Sequence, residues 1–162
     1  MDVMIREIQP DDNPYIAAVI RTVFEELDAP KTGTAYADTS LDNLFKNYNK
    51  PNSVYYIAQQ SNGQIAGGAG IAPLDNGPDG VCELQKMYFL KTIRSTGTGA
   101  AMIQKCLQAA KSFGFTQCYL ETLTDMHAAQ KLYVKSGFTY LNAPLGNTGH
   151  SSCPVWMIKE LV

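Results

Sequence analysis

Glu83-Leu84-Gln85-Lys86-Met87-Tyr88-Phe89-Leu90-Lys91-Thr92-Ile93-Arg94-Ser95-Thr96-Gly97-Thr98-Gly99-Ala100 decides how this chain is read. Its first half belongs to a strand, Val81 to Leu90, rich in residues that suit a pleated, half-buried surface. Its second half is a polar loop with two glycines that runs directly into a predicted helix, Ser95 to Gly114. Met102, Ile103, Cys106, Leu107, Ala110 and Phe113 share one broad face of that helix. Glycines let main chain approach a ligand closely. Amides of a first helical turn lack intrahelical acceptors and, with the helix dipole, favour an anion, above all a phosphate. Arg94 adds a fixed positive charge. A P-loop would carry Lys and Ser or Thr after its last glycine, where this chain has Ala100-Ala101, and a dinucleotide fingerprint would carry glycine at Met102. Taken alone, the segment also fits an ordinary strand-to-helix turn.

Outward from this stretch the chain alternates. Val3 to Ile8 predicts a first strand, stopped by Pro10 and Pro14. Tyr15 to Leu27 has apolar residues at helical spacing, and Pro30 ends it. Lys31 to Thr39 reads as a loop, and Ser40 caps a second helix carrying Leu41, Leu44, Phe45 and Tyr48. Ser53 to Gln59 and Gln64 to Leu74 read as strands joined by a turn at Ser61-Asn62-Gly63. After the long helix come a strand from Thr116 to Leu123 and a helix from Asp125 to Ser136 that Gly137 ends. Two last strands, Phe138 to Asn142 and Val155 to Leu161, flank a Gly/Ser/Pro/Asn-rich loop. The order predicts a mixed α/β domain in which the two strands flanking the long helix run parallel. A doubly wound dinucleotide fold fits poorly, for want of successive βαβ units.

With 162 residues, 45% hydrophobic and 17% charged, the chain is sized for one domain and apolar enough for a core without staples. A net charge of -2 argues against a bulk nucleic-acid binder. Cys82, Cys106, Cys118 and Cys153 contain no CxxC pair, and His127 and His150 are the only histidines, so no metal site is expected. No signal peptide or membrane span is visible in the sequence, and the expected location is the cytoplasm with reduced thiols.

Two motifs in register sharpen this reading. Arg94, Gly97 and Gly99 match Arg/Gln-x-x-Gly-x-Gly/Ala. Ala129-Gln130-Lys131-Leu132-Tyr133-Val134-Lys135-Ser136-Gly137-Phe138 matches Ala-x-x-Leu-Tyr-x-x-x-Gly-Phe. On these, the sequence resembles the GNAT superfamily of acyl-CoA-dependent N-acetyltransferases, strongly over about residues 81 to 140. It departs from the family at Ser95, often Gly, at Met126, often Asn, and at Lys91, frequently Pro. The resemblance implies a single domain over 1–162. Its sheet would be mostly antiparallel with about seven strands and about four helices, and a central parallel pair would splay around the cofactor.

The resemblance further implies acetyl-CoA as co-substrate and direct attack by an amine. Main chain at Arg94, Ser95, Thr96, Gly97, Thr98 and Gly99 would hold the pyrophosphate, and Met87, Tyr88 and Phe89 the pantetheine arm, with a backbone N–H there polarising the thioester carbonyl. Glu83, eleven residues before Arg94, is the candidate base. Glu121 is a second candidate base or an ammonium-binding group. Tyr133 is the candidate acid beside the sulfur, and Tyr88 has a weaker claim. His150 could border the acceptor pocket, although a surface-loop histidine is the plainer reading. His127 reads as structural or exposed, and Cys153 as a buried thiol. The acceptor would be the amine of a small molecule, amino acid or peptide, with no nucleic-acid or membrane partner, and a homodimer is left open. A non-catalytic acyl-CoA-binding module is the alternative.

Overall fold

The computed structural model describes residues 2–162; Met1, where the N-terminal signal reading begins, lies outside the described residues. Seven strands form one sheet: β1 (Val3–Glu7), β2 (Val54–Gln60), β3 (Ile65–Pro73), β4 (Val81–Phe89), β5 (Gln117–Thr122), β6 (Thr139–Leu141) and β7 (Val155–Glu160). Their spatial order is β1-β2-β3-β4-β5-β7-β6. Every neighbouring pair is antiparallel except β4 with β5. The four α-helices are α1 (Asn13–Glu26), α2 (Leu44–Tyr48), α3 (Thr98–Ser112) and α4 (His127–Lys135). This is the expected mixed fold with its central parallel pair.

Both faces of the sheet are covered. On one, Met102, Ile103 and Cys106 of α3 and Tyr133 of α4 pack against Cys82, Leu84 and Met87 of β4 and Leu120 of β5. On the other, Ile16, Ile20 and Phe24 of α1 meet Tyr55 and Ile57 of β2, with Leu44 and Tyr48 of α2 alongside. Alternation along the strands divides the residues between the two cores. A small third cluster, Leu74, Val81 and Tyr119, closes the end near Trp156.

Most expected elements shift by a residue or two at their ends, and two differ for an identifiable physical reason. The helix expected from Ser95 starts at Thr98, because Ser95 and Gly97 take left-handed backbone angles. The second helix is divided: a 3-10 turn spans Leu41–Asn43, and α2 starts afresh at Leu44. Asn43 lies outside helical geometry, and Asn13 accepts the Phe45 amide at 2.9 Å, doing for α2 what a local cap would do.

The feature that positions the site is a mismatch in strand pairing. β4 and β5 pair only at Val81↔Gln117, Cys82↔Cys118 and Glu83↔Tyr119. Beyond Glu83, β4 stays with β3 as far as Phe89, and β5 stays with β7 as far as Thr122. The two strands therefore part in the middle of the sheet. A bulge assists: Gly68 faces Tyr88 but Gly70 faces Gln85, so β4 carries one extra residue in this interval. Lys86 within it has φ 50°. Tyr55 Oη donates to Lys86 O at 2.8 Å. Gly68 makes this contact possible, since a Cβ there would lie 2.7 Å from Tyr55 Oη. The Gly-rich composition of β3 thus admits a buried tyrosine that pins the bulge of its neighbour.

Candidate functional site

The β4–α3 connection opens with a 3-10 turn, Lys91–Ile93, and reaches α3 through Gly97 as its cap residue. Ser95 at φ 63° and Gly97 at φ 86° reverse the chain twice. The first amide of α3 with a backbone acceptor is that of Ala101, bonded to Gly97 O at 3.1 Å. Among the described residues, the amides of Ser95, Thr96, Gly97, Thr98, Gly99 and Ala100 find no acceptor. Thr96 Oγ1 donates to Ile93 O at 2.5 Å, which leaves Thr98 Oγ1 as donor in its 2.8 Å contact with Thr96 Oγ1. The hydroxyls hold the loop while the amides stay available. Six consecutive donors at a helix N-terminus are a set that could hold an anion.

Arg94 departs from expectation. Its amide donates to Lys91 O at 3.2 Å, so it is not one of the free donors. Its Nε donates to Phe89 O at 2.9 Å and its Nη1 meets Glu26 Oε1 at 2.5 Å. The charge expected to face the anion is thus countered by a carboxylate, and the side chain staples the loop to the end of β4 and to α1.

The interval between β4 and β5 leads from this loop toward Tyr133. Its side chain is 5% exposed and packs edge-on to Phe138 at 6.0 Å. Burial pushes its phenol well above the ordinary tyrosine value, aided by the Cys106 and Cys118 thiols. Among the described residues its hydroxyl has no hydrogen-bond partner. A neutral phenol with a free O–H can serve as a donor. Met126, at the usual Asn position, places its sulfur 3.7 Å from Thr122 Oγ1, and Gln130 Nε2 secures the same turn on Leu123 O at 2.9 Å. Met87 is buried toward α3 and α4, whereas Tyr88 turns to the opposite face and lies 5.2 Å from the Phe24 ring. Tyr88 therefore packs with the α1 core, and its phenol, pushed up by burial, lies within electrostatic reach of Tyr133 and Glu83. The β5 side of the backbone from Gln85 to Phe89 has no paired strand.

Glu83 sits where the pairing of β4 and β5 ends. It is 5% exposed, and burial pushes its carboxyl up to about 7, with the Glu121 charge adding to the rise. Gln85 Nε2 donates to Glu83 Oε1 at 2.6 Å and its Oε1 accepts from Tyr48 Oη at 2.5 Å, a chain that works against the rise. Glu121 lies on the same face. It accepts from Tyr119 Oη at 2.6 Å and from Thr148 Oγ1 in a short bond. A buried carboxyl that titrates near neutrality is suited to take up a proton at physiological pH.

His150 is not the surface-loop residue of the plainer reading. Its Nε2 lies 3.0 Å from each oxygen of Asp38, whose Oδ2 also meets Lys86 Nζ at 2.9 Å. The structure thus brings Glu83, Glu121 and His150 to one face. It adds Asp38, Lys86, Gln85, Tyr48 and Thr148, none of which the sequence singled out. The signal for Lys86 was a lone cation within strand β4; Asp38 itself left none, although by sequence its loop, Lys31 to Thr39, could form part of an acceptor lid. His127 is exposed at the start of α4, and Cys153 is buried, with burial pushing its thiol up to about 12.

Comparison with known proteins agrees with this geometry. Residues 20–138 match the acetyltransferase (GNAT) family. The chain is 41% identical over 160 residues to the uncharacterised N-acetyltransferase YjgM of Escherichia coli (strain K12), covering 98% of this chain and 95% of that one. A GNAT-family acetyltransferase structure from Staphylococcus aureus Mu50 superposes with a TM-score of 0.86 at 20% identity, covering 99% of this chain and 100% of the other. A phosphinothricin acetyltransferase from Sinorhizobium meliloti, solved in complex with acetyl-CoA, gives a TM-score of 0.78 at 17% identity over 99% of this chain and 89% of its own. A strand pair that opens in mid-sheet, a row of free amides at a helix N-terminus and this family match converge: the chain belongs to the GNAT family and is an N-acetyltransferase.

Proposed function

We propose that this enzyme moves the acetyl group of acetyl-CoA to the primary amine of a small molecule, amino acid or peptide by direct attack in a ternary complex. One observation carries the reading. The opening between β4 and β5 has six free amides at one end and a buried carboxyl that titrates near neutrality at the other. The residues fit the co-substrate: the amides from Ser95 to Ala100 suit its pyrophosphate, and the open backbone edge of β4 suits its amide-bearing arm as an added strand. Bound there, acetyl-CoA would supply the activated acyl group.

The chain's own residues would do the rest. A β4 amide near Met87 to Phe89 would polarise the thioester carbonyl. An alkyl ammonium cannot attack, and Glu83 would take its proton, directly or through water. A carboxyl that burial pushes up to about 7 suits a base that must also release the proton. Glu121, held by two hydroxyls, would orient the incoming ammonium. Tyr133 would donate to the departing sulfur. Holding both reactants together contributes most of the acceleration, and proton transfer a further ~10²–10⁴-fold.

The test is an acceptor screen. Protein, acetyl-CoA and a panel of primary amines, amino acids and short peptides are followed by thiol release. Release with at least one acceptor is expected, and Tyr133→Phe should lower kcat by roughly ten- to a hundredfold with little change in acetyl-CoA affinity. Acetyl-CoA binding without thiol release across the whole panel would count against the reading.

A further inference from the structure

Three segments remote in the chain meet at one carboxylate. Asp38 follows a 3-10 turn, Ala35–Ala37, in the connection from α1 to α2. His150 belongs to the connection from β6 to β7, and Lys86 occupies the bulge of β4. Asp38 binds His150 Nε2 through both oxygens and Lys86 Nζ through one. The Lys86 side chain is 7% exposed, so its ammonium is held in a largely dry place where an unpaired charge would be costly.

The same two connections touch again nearby. Ser152 N donates to Gly33 O at 3.0 Å. Gly33, at φ 70°, leaves no room for a Cβ, which would sit 2.7 Å from Ser151 Oγ and 2.8 Å from Ser152 Oγ. The β6–β7 connection is fastened from below as well, by Thr148 to Glu121 and by Leu145 N to Tyr119 Oη at 3.2 Å. The result is a strap across the face where Glu83 and Glu121 lie.

We propose that Asp38 is a positioning residue of this face: by binding Lys86 and His150 together it closes the two connections over Glu83 and holds the His150 ring within electrostatic reach of that carboxyl. The groups around Glu83 agree. It is faced by Gln85, Lys86 and Tyr88 of β4, Glu121 and Tyr119 of β5, Tyr48 of α2, and His150 and Cys153 of the β6–β7 connection. Of these, His150 and Lys86 favour its ionised form and Glu121 opposes it. His150 is faced by Asp38, Lys86 and Glu83. Burial opposes its charge, and Asp38 overcomes that opposition to leave the imidazole above its ordinary value.

The proposal rests on the acetyltransferase reading only in treating this face as the acceptor side, and its test needs no turnover. With two histidines in the chain, His127→Asn assigns the imidazole NMR signals. His150 should titrate above the ordinary value of about 6.5, and Asp38→Asn should return it to that value or below. Amide exchange at Ser152 should rise at least tenfold in both Asp38→Asn and His150→Gln, while α3 stays unchanged. In protein labelled at glutamate carboxyls, with Glu83→Gln as the assignment control, His150→Gln should move the Glu83 titration upward. An unchanged His150 titration in Asp38→Asn would overturn the proposal. So would unchanged Ser152 exchange, a rise shared equally by α3, or a Glu83 titration indifferent to His150. A chain that passed these tests yet failed the acceptor screen would lose the transfer reading and keep the strap.

Discussion

Glu83 shows how much one side chain can take from its surroundings. Free glutamate would be ionised at pH 7. Buried at the fork of two strands, this one titrates at about 7. The sign of the stability effect follows. Between the ordinary glutamate value and 7 the folded chain holds a proton that the unfolded chain has released, so stability falls as pH rises through that window, and the whole cost is present above it. Glu83→Gln should therefore stabilise the fold at pH 8 by up to about 3 kcal/mol, from roughly 1.4 kcal/mol per pKa unit, with the gain vanishing near pH 4. The same change should lower kcat/KM by ~10²–10⁴-fold and remove the acidic limb, which in the unaltered enzyme falls tenfold per pH unit below about 7. Thermal melts at the two pH values and a pH–rate profile check both halves. Glu83 could be named from its place in the sequence, eleven residues before Arg94. Its basicity could not, because the burial that raises it exists only once segments remote in the chain have packed around it.

At the scale of elements, the loop into α3 is where sequence and backbone geometry meet. Ser95 holds a left-handed angle at φ 63° that costs an L-residue about 1–2 kcal/mol and glycine almost nothing. This is the physical reason that glycine is common at this position of the motif. Ser95→Gly should raise Tm by about 2–4 °C, allowing for the entropy glycine adds to the unfolded chain, and leave acetyl-CoA affinity within about threefold. Gly97, at φ 86°, has open space where a Cβ would stand. Gly97→Glu should accordingly fold with a modest strain penalty, yet bring a carboxylate to the amides from Ser95 to Ala100. Acetyl-CoA affinity measured by calorimetry should fall at least a hundredfold. Arg94 is the complementary case. Its position in the motif was legible, but its engagement with Glu26, sixty-eight residues away, is a tertiary fact that no local spacing encodes.

For the whole molecule, the opening between β4 and β5 removes main-chain pairing from the centre of the sheet. A ligand that adds a strand there should stabilise the entire fold. At a hundred times its Kd, acetyl-CoA should add about 2.7 kcal/mol and raise Tm by roughly 5–10 °C, with ATP or NAD at the same concentration giving much less. Differential scanning calorimetry with each compound makes the comparison. The same interval explains why the two ends of the site, so different in chemistry, share one architecture: α3 begins where β4 ends, and β5 returns to pair with only the first residues of β4.

Local sequence was enough to determine the order of strands and helices and the parallel relation of β4 and β5, and, with the family resemblance, to mark a candidate anion-binding loop and Glu83 and Tyr133 as candidates. These depend on periodicity, glycine placement and short motifs, which act over a few residues. Only the tertiary structure decided where β4 and β5 part, that Tyr55 pins the bulge at Lys86 through the space Gly68 leaves, and that Asp38 binds both Lys86 and a histidine 112 positions further along the chain. Those are contacts between surfaces that must first be folded. Their energies depend on burial and distance, which no spacing along the chain encodes.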